Sequence, residues 1–389
     1  MTYLNNLECS YCHENYDPGQ LMNLCPQCGK PLLARYRLDR LAREISRDRF
    51  AGRGFGLWRY RHLLPVIKEK NKLTLGEGGT PILRACNLGR AANYDALYVK
   101  DESANPTGSF KARGMAVAVS KAMELGASSI SIPSAGNAAG AMSAYAAAAR
   151  MKADVFMPRD VPHSFIRECS AFGAEVNLVE GLITDAGRMA ARHLAKSGGF
   201  DLSTLKEPYR LEGKKTMGFE IAEQMGWELP DVIIYPTGGG TGLIGIWKAF
   251  LELRELGWLD GSLPKMVAVQ SDGCAPIVRA FNRGSSFADN WEGAYTIADG
   301  IRVPSAVGDF IILEILEESG GTALEVSDSQ LMNAAGRIAA MEGLFVSPEA
   351  AATLLAFEKL LDDGWIERDQ TVLLMITGSG MKYLHLWRD

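Results

Sequence analysis

The chain has 389 residues, 47% of them hydrophobic and 22% charged. That is enough apolar material for about two to three domains, and the composition excludes collagen-like, coiled-coil and wholly disordered chains. Forty-one basic residues against 46 acidic ones leave a net charge of −5, which argues against a nucleic-acid or membrane-surface partner and for a small molecule.

In chain order, Met1 to Ser10 shows neither a basic n-region nor an apolar h-region, so a cytoplasmic protein with reduced cysteines is expected. Four of the seven cysteines fall as Cys9, Cys12, Cys25 and Cys28, two C-x2-C pairs twelve residues apart. Four thiolates so paired can close a tetrahedral shell around a structural zinc ion and lend folding energy to a segment too short for its own core. Knuckles that no longer hold metal, and disulfides, are the competing readings. Cys86, Cys169 and Cys274 are isolated and read as small buried hydrophobes. From Arg35 to Arg61 the chain is basic and rich in glycine (Gly52, Gly54, Gly56) and reads as a linker. Acidic residues interleave with its arginines, so a solvated face is expected over a nucleic-acid patch.

From about Leu73 onward, short apolar runs alternate with helical patterns: Leu97 to Lys100, Ser129 to Pro133, Asp154 to Met157, Asp231 to Tyr235, Met266 to Gln270 and Thr371 to Ile376. Such alternation predicts an α/β architecture with parallel sheets covered on both faces. Ala138 to Ala149 is too short for the roughly 20 residues of a membrane span and reads as a buried helix.

Four loops carry chemistry. Ser109-Phe110-Lys111-Ala112-Arg113-Gly114 opens a helix to about Glu124 that sets Lys111, Met115, Ala118 and Ala122 on one apolar stripe, with Arg113, Ser120 and Glu124 opposite. Desolvation and the positive end of the helix dipole both push Lys111 toward the neutral amine that an aldehyde cofactor needs for a Schiff base. A lysine snorkelling its charge out of the first turn fits the spacing equally well. Ser134-Ala135-Gly136-Asn137 joins a strand to a helix, where Asn137 either caps the helix or faces a ligand. Thr237-Gly238-Gly239-Gly240-Thr241-Gly242 lies between a strand and the helix from Leu243 to Glu252 and forms a phosphate cradle. Gly240, Gly242 and Gly245 also match G-x-G-x-x-G, but a dinucleotide site wants an acid where this chain has Gln270. Thr377-Gly378-Ser379-Gly380 follows the last strand, placing a hydroxyl at a ligand crevice or in a plain turn.

Taken together, these four motifs resemble the fold-type II pyridoxal-phosphate enzymes over Leu75 to Tyr383. The resemblance implies two parallel-sheet α/β domains, the smaller inserted in the larger, behind an N-terminal zinc-knuckle module. The expected bounds are 1–34 for that module, 35–72 for a linker, 73–104 with 200–389 for the large cofactor-binding domain, and 105–199 for the small one. By the same resemblance Lys111 would carry the cofactor and Asn137 would bond its phenolic oxygen. Gly238, Gly239, Gly240, Thr241 and Gly242 would cradle its phosphate, and Thr377 would face its pyridine nitrogen. A neutral hydroxyl there need not keep that nitrogen protonated, which favours elimination over transamination.

Gly76 to Pro81, Asn105 to Gly108, Arg210-Leu211-Glu212-Gly213-Lys214-Lys215-Thr216 and Glu342 to Phe345 are further similar to the threonine synthases, as is the cysteine knuckle. That similarity implies a homodimer converting O-phosphohomoserine and water to threonine and phosphate. Ser134, Ala135 and Gly136 would lie at the substrate, and Arg210, a planar fork suited to phosphate, would bind the substrate phosphate. A surface ion pair of Arg210 with Glu207 or Glu212 is the alternative. The chain departs from that family at Ala112, Ala135 and Ala138, where an aspartate and two hydroxyls are usual, and has Thr204 and Leu205 where asparagine and serine are frequent. The S-A-G-N loop is instead similar to threonine and serine dehydratases, which expel a β-hydroxyl and yield a 2-oxo acid. A non-catalytic cofactor-binding protein would require a broken lysine or cradle, and both are intact.

Overall fold

The computed structural model describes residues 2–51, 54–181 and 183–387; Gly52 and Arg53, read as part of a linker, lie outside the described residues. Among the described residues the strands form three sheets. Five apolar strands pair in parallel in the order Thr322–Val326, Lys265–Ser271, Val232–Pro236, Val372–Ile376, Leu97–Asp101, and the short Ile82–Arg84 closes the edge antiparallel. A second, wholly parallel sheet runs Glu175–Val179, Lys152–Pro158, Ser129–Pro133, Phe200–Asp201. Strands read as near-continuous apolar runs are those buried on both faces: every residue of Val372–Ile376 and Val232–Pro236 is buried. The small sheet extends through Phe200–Asp201, two residues past position 199. No described helix is long and apolar enough to cross a membrane.

The third sheet is antiparallel, with Leu4–Cys9 between Asn15–Tyr16 and Leu32–Tyr36. Its Leu7, Leu32 and Ala34 join the same hydrophobic core as the parallel sheets. Asn23, between the two cysteine pairs, donates its amide to the carbonyls of Asp201 (2.8 Å) and Lys206 (2.9 Å), tying the cysteine segment to the loop between the two sheets.

The stretch from Arg35 to Arg61 is not an irregular tether. It folds into helices Leu38–Glu44 and Arg47–Ala51 and a 3-10 segment Leu57–Leu63, and buries Leu41, Phe50, Leu57, Tyr60 and Leu63 completely. Its large apolar side chains, diluted by arginines in the sequence, recur at helical spacing and pack as an aromatic cluster of Phe50, Tyr60, Phe219 and Trp258. Several arginines pair with acids on its solvent side, Arg43 with Asp39 (2.9 Å) and Arg40 with Glu44 (2.6 Å).

Three helices position the site: Lys111–Glu124, Tyr209–Gln224 and Thr241–Glu255. The middle one carries Arg210, Glu212, Lys214, Lys215 and Glu220, yet all are buried. It passes between the other two on glycine contacts. A Cβ on Gly213 would overlap the Arg113 carbonyl, one on Gly114 would stand 2.9 Å from the Arg210 carbonyl, and one on Gly218 would stand 2.6 Å from the Ala249 Cβ. The side of the lysine helix that carries Arg113 and Ser120 is therefore covered, with Glu124 at its end partly exposed. Arg113 is fully buried, its guanidinium held by Glu102 (2.6 Å) and Glu220 (2.7 Å), because that face meets another helix rather than water.

Gly213→Ala forces a methyl against backbone and should cost about 1–3 kcal/mol of stability. Gly187→Ala, with nothing within 4 Å of the added carbon, should be neutral or slightly stabilising. Equilibrium unfolding in denaturant measures both, and equal effects would contradict the packing described.

Candidate active site

The four motif loops converge on one cavity at the carboxyl ends of both sheets' strands, where open α/β sheets bind ligands. Its volume is about 620 Å³, and Phe110, Lys111, Asn137, Gly238, Gly239, Gly240, Thr241, Gly242 and Thr377 all line it. A smaller continuation of about 140 Å³ is shared by Lys111 and Asn137 and walled by Ser134, Ala135, Gly136 and Ala138.

Lys111 stands at the start of its helix with the amine 3.9 Å from the centre of the Phe110 ring. Burial, with Arg210 adding to it and Glu349 opposing, brings its pKa from 10.5 to about 7. At neutral pH much of the side chain is then a free amine able to attack an aldehyde.

The cradle glycines are required by close approach. A Cβ on Gly238 would meet the Gly300 carbonyl at 2.8 Å and one on Gly239 the Thr204 methyl at 2.8 Å, while Gly240 has φ +71°, a conformation that favours glycine. Gly240 directly precedes the helix Thr241–Glu255, whose first amides face the cavity end. The dinucleotide reading does not survive. Gly245 lies within the helix, where an added Cβ would stand 3.0 Å from the Lys215 backbone nitrogen, and Gln270 spends its amide on the Thr237 carbonyl (3.0 Å) and its oxygen on the amides of Ile277 and Val278.

Asn137 does not cap its helix. The Ser134 hydroxyl accepts from the amides of Gly136 (3.3 Å) and Ala139 (3.2 Å), which leaves the Asn137 Oδ1 buried and without a partner. An orphaned amide oxygen in a cavity wall suits a ligand donor or a water. Thr377 lies at the end of Val372–Ile376, its carbonyl accepting from the Phe110 amide (3.1 Å), so the strand and the lysine helix are bonded at the site.

Arg210 is 1% exposed, so it forms no surface ion pair. Glu207 accepts from the backbone amides of Tyr209 (2.7 Å) and Arg210, and Glu212 is engaged by Lys215 (2.5 Å), Lys248 (3.0 Å) and Tyr36. The Arg210 Nη1 donates to the Leu202 carbonyl (2.6 Å), while Nε and Nη2 have no partner. The guanidinium stands behind the cavity wall rather than in it.

Glu349 and Arg302 are among the wall residues that sequence reasoning missed. Glu349 accepts from the Tyr383 hydroxyl (2.6 Å) and the Gly300 amide (2.7 Å), and its second oxygen is buried and unpartnered. Arg302 lines both parts of the cavity, 3.3 Å from Asp299. Neither sits in a glycine-rich motif; only a charged residue closing an otherwise apolar run, as in Val346-Ser347-Pro348-Glu349, marks them.

Outside this cavity's lining, Cys9, Cys12, Cys25 and Cys28 bring their sulfurs within 4.8 Å of one another, Cys9 to Cys28 at 3.3 Å and Cys12 to Cys25 at 3.6 Å. Four sulfurs each about 2.3 Å from one zinc ion stand roughly 3.8 Å apart in a tetrahedron, so the donor set fits that ion. The remaining cysteines divide: Cys169 and Cys274 are buried, while Cys86 is exposed, contrary to the expectation.

The description "Pyridoxal-phosphate dependent enzyme" matches residues 73–378. The chain belongs to this family. It is 37% identical over 375 residues to the threonine synthase of Methanocaldococcus jannaschii, covering 96% of this chain and 92% of that protein. Among solved structures, maize serine racemase superposes with a TM-score of 0.67 at 20% identity, covering 79% of this chain and 90% of that one. A threonine deaminase from T.th. superposes at 0.65 with 26% identity, covering 77% and 92%. The chain is a threonine synthase-like, pyridoxal-phosphate-dependent lyase.

Lys111→Ala should abolish the visible absorption band of the cofactor-loaded protein together with turnover. In the cofactor-free wild type, the initial rate of pyridoxal-phosphate capture should be half-maximal near pH 7. A rate still climbing toward an ordinary lysine's 10.5 would contradict the buried amine.

Proposed function

We propose that this enzyme converts O-phosphohomoserine and water to threonine and phosphate. The observation that carries the reading is Arg210, a buried guanidinium with two unpartnered nitrogens close enough to Lys111 to depress its pKa, in a chain whose threonine synthase relatives cover nearly its whole length. A cationic fork that costs this much to bury is repaired by an anion, and a phosphate dianion matches its geometry.

When bound, pyridoxal phosphate supplies an electron sink at the substrate's Cα. Lys111 would hold the cofactor and then, as a free amine, take protons from Cα and Cβ and return protons to Cγ and Cα, while phosphate leaves Cγ, the hydroxyl of water adds at Cβ and water's second proton leaves with the phosphate. Asn137 would bond the cofactor's phenolic oxygen, Gly238 to Gly242 would take its phosphate and Thr377 would face its ring nitrogen. The Ser134 to Gly136 loop borders the substrate carboxylate. The cysteine cluster holds one structural zinc, and the protein works as a cytoplasmic homodimer.

A dehydratase acting on threonine or serine is favoured by one observation. Ala135 and Ala138, lining the smaller part of the cavity, offer no hydroxyl to a substrate carboxylate or phosphate.

Phosphate release from O-phosphohomoserine and 2-oxo acid formation from threonine and serine are to be compared with wild type and Arg210→Ala side by side. Phosphate release should dominate, and the substitution should cost about 2–4 kcal/mol, roughly thirty- to a thousand-fold in kcat/KM. Appreciable 2-oxobutanoate from threonine, with no phosphate release and indifference to the substitution, would establish the dehydratase instead. Elemental analysis should find about one zinc per chain, and Cys25→Ser should expose residues 1–34 to protease while the cofactor's absorption persists.

A further inference from the structure

Lys214 lies within the Arg210 to Thr216 motif, and the reaction described above gives it no role. It is fully buried on the helix Tyr209–Gln224, with its amine 5.2 Å from the centre of the Phe110 ring and bonded to the Thr241 hydroxyl. What sets it apart is the absence of a counter-charge in contact. Lys215, the next residue, is held by Glu212 (2.5 Å) and Glu252 (2.9 Å), and the buried Lys100 by Glu220 (2.9 Å). Lys214 has no such pair among the described residues. Its charged or titratable neighbours are the Arg210 guanidinium, the Lys111 amine and Glu207, whose carboxyl is itself pushed up by burial to about 7. Burial, Arg210 and whatever charge Lys111 carries push the lysine well below its ordinary pKa.

The direction of the hydrogen bond indicates what is missing. An ammonium has three donors and no acceptor, so when Lys214 is charged the Thr241 oxygen must accept from it. The threonine's own hydrogen is then free to donate elsewhere. Thr241 lines the cavity at the first position of the cradle helix, beside Gly240. A donor polarised by a cation behind it, at a helix N-terminus, is complementary to a phosphate.

We propose that Lys214 is the counter-cation of the cofactor's phosphate, acting through the hydroxyl of Thr241. This rests on the reading that Gly238 to Gly242 cradle that phosphate. Lys214 does not touch the ligand; it is a positioning residue that fixes the sense of the Thr241 hydrogen bond and supplies charge that the glycine loop lacks.

The test titrates the cofactor-free protein with pyridoxal phosphate and with pyridoxal, which lacks the phosphate, in wild type, Lys214→Gln, Lys214→Met and Gly239→Val. Both Lys214 variants should raise the Kd for pyridoxal phosphate tenfold or more while leaving that for pyridoxal within about twofold, which also shows that the site is still folded. A parallel loss of pyridoxal binding would make Lys214 a residue of the fold and overturn the proposal. So would unchanged affinity for pyridoxal phosphate in the Lys214 variants while Gly239→Val weakens it. If Gly239→Val also left that affinity unchanged, the cradle reading itself would fall. An unchanged Kd combined with weaker inhibition of the loaded enzyme by inorganic phosphate would assign Lys214 to the substrate's phosphate instead, against this proposal.

Discussion

The structure depends on burying a charged helix. Tyr209–Gln224 lies between the lysine helix and the cradle helix with Arg210, Glu212, Lys214, Lys215 and Glu220 all out of water. Such burial is tolerable only when each charge is paired, and most are. Glu220, despite its burial, is held ionised by Arg113 and Lys100, and Glu212 by Lys215 and Lys248. The pairing also fixes geometry, because Arg113 belongs to the lysine helix, Lys100 to the large sheet and Lys248 to the cradle helix. The glycine contacts at Gly114, Gly213 and Gly218 leave little slack. Lysine and phosphate cradle are therefore set against each other by one buried element that lines neither motif.

The charges left without a carboxylate in contact stand behind the cavity wall. Arg210 has two free nitrogens and Lys214 has a hydroxyl in place of a carboxylate. The field of the Arg210 charge adds to burial in keeping Lys111 near neutrality. Glu349, opposing that field from the other wall and anchored by Tyr383 and Gly300, limits how far it goes. The Tyr383 ring also packs on Phe165 in the small domain region, so the carboxylate's support reaches across both sheets.

Much of this was legible in the sequence. The parallel strands were, because strands buried on both faces are continuous apolar runs bounded by glycine loops, and so were the loops of Lys111 and Gly238 to Gly242 as walls of one cavity, because a close backbone approach demands glycine. The linker reading failed where Phe50, Leu57 and Tyr60 bury themselves among arginines, since net basicity masks a helical apolar spacing. The burial of Arg113 is hidden for a related reason: periodicity tells which residues share a side, not whether a second charged helix covers it. Asn137 was left between cap and ligand because only coordinates show that Ser134 occupies the helix N-terminus. Arg302 and Glu349 come from segments distant in sequence that meet only in the folded wall.

The central claim is that this packing makes Lys111, and not the neighbouring buried Lys214, the amine that holds the cofactor. Borohydride reduction of the pyridoxal-phosphate-loaded protein, followed by mass spectrometry of its peptides, tests it directly. A single phosphopyridoxyl label on Lys111 is the predicted result; a label on Lys214, or none on either lysine, would contradict the account.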